Sequence, residues 1–169
     1  MSIETTRARF GYLAELVAGT GGSLDVRFLG KTVPVPHGLA FSPDESVLYV
    51  TDTAGPDHGV PLRIASYEVL GGVCKRRAPA VELGEGHAAD GLRVDVQGRI
   101  WTSAGSAVRV YSPSFELLDT IEVPEKVSNV CFGGPDGQDL YITATTSLYR
   151  IRTTTRDTAA RLTTPADNR

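Results

Sequence analysis

Hydrophobic positions along this chain fall in short runs, each closed by glycine, proline or aspartate. Residues 39–41 and 47–50 are apolar and flank Ser42-Pro43-Asp44-Glu45, so 37–53 reads as a β-hairpin around a tight turn. Helical periodicity is nearly absent. Residues 9–17 come nearest to it, but they run into Gly19-Thr20-Gly21-Gly22 and then a second strand-like stretch. The pattern predicts a hairpin over 10–29 with its turn at 19–22, a short helix at 12–17 being the alternative. No Gly-Lys-Ser/Thr follows these glycines, so a turn explains them better than a phosphate loop.

The hairpin at 37–53 recurs. "HGLAFSPDESVLYVTDT" (37–53), "DGLRVDVQGRIWTSAG" (90–105) and "NVCFGGPDGQDLYITAT" (129–145) each open on a polar residue. Each continues as a short strand, a turn rich in Gly, Pro or Asp, and a second strand. Third strands are predicted at 62–69, 107–112 and 147–152, and fourth strands at 78–83 and 117–123. Short antiparallel strands recurring every ~40 to 50 residues are the signature of propeller blades. Consecutive apolar positions in "VLYV" and "DLYI" suit sheets covered on both faces.

The expected fold is therefore all-β: a partial β-propeller over 1–152, with a strand pair at 10–29 and blades starting near 37, 90 and 129. A flexible tail is expected over 153–169, where threonine and arginine replace apolar residues. Three and a half blades form an open ring with two exposed ends. A homodimer completing the ring is one way to cover them.

Composition narrows the function. A net charge of -3 and a pI near 5.6 argue against nucleic acid and a basic membrane arm as partners. No apolar run approaches the ~20 residues of a membrane helix. The first residues, with Glu4 and no long apolar core, do not read as a signal peptide, so a cytoplasmic location is expected. Two cysteines are too few for a disulfide framework. Cys131, inside an apolar run, is expected to be buried, and Cys74 to lie near the surface.

Candidate chemistry follows from the repeat. The first strand of a propeller blade lines the central axis, so the residues that open those strands converge at one mouth. Here they are His37, Asp90 and Asn129. Imidazole, carboxylate and amide can all ligate a cation on a rigid scaffold. Equally, Asp and Asn favour strand entrances because their side chains bond nearby backbone, and His37 could hydrogen-bond a neighbouring loop. His87, three residues before Asp90, either faces a substrate or sits in a surface loop, and His58 reads as a loop histidine. Trp101 is expected to pack between blades, and "CKRR" (74–77) to be a solvated rim. No Gly-x-Ser-x-Gly elbow supports a serine hydrolase.

"PHGLAFSPDESVLYVTDT", "ADGLRVDVQGRIWTSAGSAVRVYSP" and "NVCFGGPDGQDLYITATTSLYRIR", in this order, resemble the later blades of the SMP-30/gluconolactonase/luciferin-regenerating family from about residue 33 to 152. The resemblance implies the C-terminal half of a six-bladed propeller holding one divalent cation, often calcium, and hydrolysing sugar lactones. It implies that Asp90 is a metal ligand and the general base. It places His37 where the family usually keeps an asparagine ligand, and imidazole, softer than an amide oxygen, moves preference from Ca2+ toward Zn2+ or Mn2+. Asn129 holds the equivalent repeat position without being a firm family ligand. The family's glutamate ligand and the substrate contacts of its earlier blades have no counterpart in this chain.

Two expectations result. One is a gluconolactonase-like, metal-dependent lactonase acting on a small-molecule aldonolactone. The other is a catalytically inactive propeller fragment that serves as a binding or structural module.

Overall fold

Ser42-Pro43-Asp44-Glu45 turns the chain as its composition requires. Glu45 adopts a left-handed φ of 58°, its N–H donates to Ser42 O at 2.9 Å, and Val47 N–H donates to the Ser42 hydroxyl at 2.9 Å. Asp44 accepts from the Ser42 and Ser46 hydroxyls at 2.6 and 2.9 Å, which holds its carboxyl down at about 2. The turn joins strands β3 (Pro36–Phe41) and β4 (Val47–Asp52). The second repeat turns at Gly98, φ 79°, whose N–H donates to Asp95 O at 2.8 Å.

The computed structural model describes residues 12–18 and 24–31 as backbone strands, and 33–70, 73–77 and 80–158 with their side chains. Strands β1 (Tyr12–Ala18) and β2 (Leu24–Lys31) form the antiparallel hairpin predicted over 10–29, so the helical alternative falls. Its expected turn at 19–22 lies outside the described residues. Next comes the blade made of β3, β4, β5 (Arg63–Leu70) and β6 (Val73–Arg76), in that order. The fourth strand was expected at 78–83. Instead β6 pairs with the C-terminal half of β5, and the two-residue β7 (Val81–Glu82) pairs with its N-terminal end. Cys74, Lys75 and Arg76 of "CKRR" fall in that outer strand because an edge strand tolerates exposed Lys75 and Arg76.

The second blade is β8 (Leu92–Val94), β9 (Ile100–Ser103), β10 (Ala107–Tyr111) and β11 (Leu117–Glu122). The third is β12 (Val127–Gly133), β13 (Asp139–Ala144) and β14 (Ser147–Arg152). Neighbouring blades stack face to face. Tyr49, Ile64, Leu92, Ile100 and Tyr111 fill the space between the first two. Trp101, Val108, Val130, Phe132, Leu140 and Ile142 fill the next, with Trp101 edge-on to Phe132 at 5.4 Å. Trp101 packs between blades as expected, and its Nε1–H donates to buried Asp95 at 2.9 Å.

Coverage explains where the hydrophobic pattern misleads. β4 is buried at every position, whereas β13 alternates, because the face of the third blade that carries Tyr141 and Thr143 has no sheet against it among the described residues. Cys131 lies on that face and is exposed, contrary to expectation: Val130 and Phe132 on either side take the core. After β14 the chain returns to the second blade. Val96 N–H donates to Arg156 O, Thr158 N–H to Val94 O, and Asp157 bridges Asp95 in an antiparallel pairing. Residues 159–169, the rest of the expected tail, lie outside the described residues.

Candidate metal and active site at the propeller mouth

The inner strands β3, β8 and β12 begin at the same end of the blades, and their entrances are pressed together. β3 carries a register shift between Pro36 and Leu39, and β12 one between Val127 and Asn129. Such bulges re-aim side chains. At the first, a Cβ on Gly38 would stand 2.4 Å from Asp90 O. At the second, Gly91 N–H donates to Ser128 O at 3.0 Å, and a Cβ on Gly91 would overlap the Asn129 amide. The two glycines after His37 and Asp90 are therefore the residues that let backbone meet backbone.

This crowding brings His37 and Asp90 together. His37 Nδ1 lies 3.5 Å from Asp90 Oδ1, with side chains 49% and 40% exposed, so a solute can reach both. The end of β4 braces them. The Thr51 hydroxyl accepts Gly38 N–H at 2.7 Å and donates to Asp90 O at 3.1 Å. Fully buried Asp52 accepts Val35 N–H and Ala54 N–H through Oδ1, and pairs with Arg63 through Oδ2 at 3.0 Å. From the second blade, the Ser103 hydroxyl accepts Asp90 N–H at 2.9 Å.

Asn129 stands at the next entrance, packed on Gly91, and its Oδ1 accepts its own strand's Val130 N–H at 2.8 Å. His87 is bound locally: its Nδ1 is 2.8 Å from Glu85 O, and its ring packs on the Gly105 turn. His58 Nδ1 is 3.1 Å from Ala54 O, in the loop where it was expected. Thr51, Asp52 and Ser103 are the members that sequence reading missed. The available signal was the threonine repeated at 51, 102 and 143, each bonding the entrance of its own inner strand.

The SMP-30/Gluconolactonase/LRE-like region matches residues 5–146. The chain belongs to this family. It is 34% identical over 130 residues to a gluconolactonase of Zymomonas mobilis, covering 71% of this chain and 35% of that protein. The solved structure of a gluconolactonase from Xanthomonas campestris superposes with a TM-score of 0.64 at 30% identity, over 78% of this chain and 41% of that one. A calcium-binding regucalcin from Agrobacterium tumefaciens superposes with a TM-score of 0.58 at 25% identity, over 73% and 42%. The chain thus spans about a third of the length of the curated gluconolactonase it matches, and its blades are part of a propeller of this family.

The donor set fits a divalent cation in kind. An imidazole nitrogen and a carboxylate oxygen 3.5 Å apart are spaced as two ligands on one ion with bonds of about 2.0–2.4 Å would be. Among the described residues, no group of three or more His, Cys, Asp or Glu side chains surrounds such a point. Among the same residues, no helix is long and apolar enough to cross a membrane.

Proposed function

We propose that this chain is a metal-dependent, gluconolactonase-like hydrolase of sugar aldonolactones, with His37 and Asp90 as cation ligands and Asp90 as general base. The observation that carries this reading is the solvent-accessible His37–Asp90 pair at 3.5 Å on the mouth of a propeller of this family. When bound, a divalent cation supplies Lewis-acid polarisation of the lactone carbonyl and charge for the developing oxyanion. The calcium-binding regucalcin supports Ca2+, and the imidazole of His37 supports Zn2+ or Mn2+.

Asp90 takes a proton from water as the water oxygen bonds the carbonyl carbon. The ring C–O bond then breaks, the proton passes to the departing alkoxide oxygen, and the product is the open hydroxy acid. Ser103 and Thr51 hold the Asp90 backbone, and Asn129 flanks it from the third blade. His87, on the loop leading to Asp90, is assigned in this reading to substrate contact.

Hydrolysis of gluconolactone followed by acid release, with Ca2+, Mn2+ or Zn2+ added singly, tests this. Metal-stimulated turnover that falls by at least about 10²-fold in Asp90→Asn is expected. Equal rates for the two proteins would sink the catalytic claim. That no third His, Cys, Asp or Glu joins the pair among the described residues favours a second reading, a non-catalytic binding module, which predicts cation binding without turnover. The face of the third blade that no sheet covers among the described residues, with Leu148 67% exposed, suits a second copy of the chain. Sedimentation velocity showing a concentration-dependent dimer that Leu148→Glu abolishes is the expected result, and a monomer at all concentrations opposes it.

A further inference from the structure

We propose that Thr51 is the positioning residue of the mouth site, setting the separation of His37 and Asp90 through a hydroxyl that joins two blades. The inference rests on the reading of that pair as cation ligands, and its basis is geometric. His37 and Asp90 belong to different blades, so nothing in local chain geometry fixes their spacing. Gly38, next to His37, has its N–H on Thr51 Oγ1 at 2.7 Å, and the same oxygen donates its proton to Asp90 O at 3.1 Å.

Thr51 is fully buried, its hydroxyl accepting from Gly38 N–H in its own blade, and of the two carbonyls within reach of its proton, Asp90 O in the next blade at 3.1 Å is nearer than Gly38 O at 3.4 Å. It sits opposite the His37–Gly38 bulge, where β3 has an extra residue and its ladder is interrupted. A hydroxyl can accept and donate at once, which is what the bulge N–H and the neighbouring carbonyl require. Valine keeps the shape of threonine and does neither. Thr102 and Thr143 bond the entrances of their own blades, whereas Thr51 also reaches the next.

The test compares the unsubstituted chain with Thr51→Val, Thr51→Ser and Leu140→Ala, the last a buried position at the far end of the third blade that serves as a control for lost stability. Two readouts are taken: Mn2+ affinity by calorimetry, and amide hydrogen exchange at Gly38 by NMR. Expected is faster Gly38 exchange and at least about tenfold weaker Mn2+ binding in Thr51→Val, both restored by Thr51→Ser and neither reproduced by Leu140→Ala. Thr51→Val with Gly38 still protected overturns the proposal, as does unchanged Mn2+ affinity. An unsubstituted chain that binds no Mn2+, with Gly38 protection still dependent on the hydroxyl, defeats the cation reading and upholds Thr51 as the tie between the blades.

Discussion

Gly38 Cα faces the carbonyl oxygen of Asp90 so closely that a methyl group there would stand 2.4 Å from it. The contact is backbone against backbone, so no side-chain rotation relieves it. Gly38→Ala is expected to push the first two blades apart at the mouth and cost about 1–3 kcal/mol. Urea unfolding measures the loss, and a crystal structure of the variant should show His37 and Asp90 well beyond 3.5 Å. An unchanged separation would refute the account of why glycine follows His37.

Asp95 is fully buried and accepts four bonds: from Gln97 N–H and Arg99 N–H on Oδ1, and from Arg99 Nε and Trp101 Nε1 on Oδ2. Asp95→Ala leaves an indole N–H and a partly buried guanidinium unpaired. It is expected to destabilise by about 3–5 kcal/mol. Unfolding followed by Trp101 fluorescence reads it directly, and a cost below about 1 kcal/mol would contradict the assigned network.

Glu125 accepts from the Ser147 hydroxyl, from Thr146 N–H at 2.8 Å and from Tyr149 OH at 3.0 Å, and the Ser147 bond leads in holding its carboxyl down at about 2. A folded-state value below that of the unfolded chain stabilises the fold above about pH 4.5, and the contribution disappears as pH falls toward 2. Asp44 and Asp136 are lowered to about 2 as well, by the Ser42 hydroxyl and by Arg152, and they lose their contributions from about 3.8 downward. Melting temperature should fall across pH 4.5 to 2, with a shallower fall in Glu125→Gln. Identical slopes for the two proteins would remove Glu125 from the explanation.

How much of this was legible depended on how local the determinant is. The three repeats declared themselves because each turn is built from its own residues, such as Ser42, Asp44 and Gly98. The pairing of His37 with Asp90 at one mouth followed once the blades were aligned. Thr51 did not stand out, because a β-branched residue in a strand needs no special reason to be there. Its role appears only when Gly38 and Asp90, from different blades, flank it. Cys131 and Tyr141 were misleading for the opposite reason: a sheet face is buried only if another sheet covers it, and that is not written in the strand itself. The outer strand at Val73–Arg76 hid behind its charges, which an edge accepts.

The pairing of Asp157 with Asp95 has a kinetic consequence. It joins the inner strand of the second blade to residues beyond the third, so closing it costs less entropy once the intervening sequence is folded. Contacts of such high sequence separation are entropically late. The second blade can nucleate from its own hairpins, and the clasp on its inner edge, which buries Thr155, is expected to form after them.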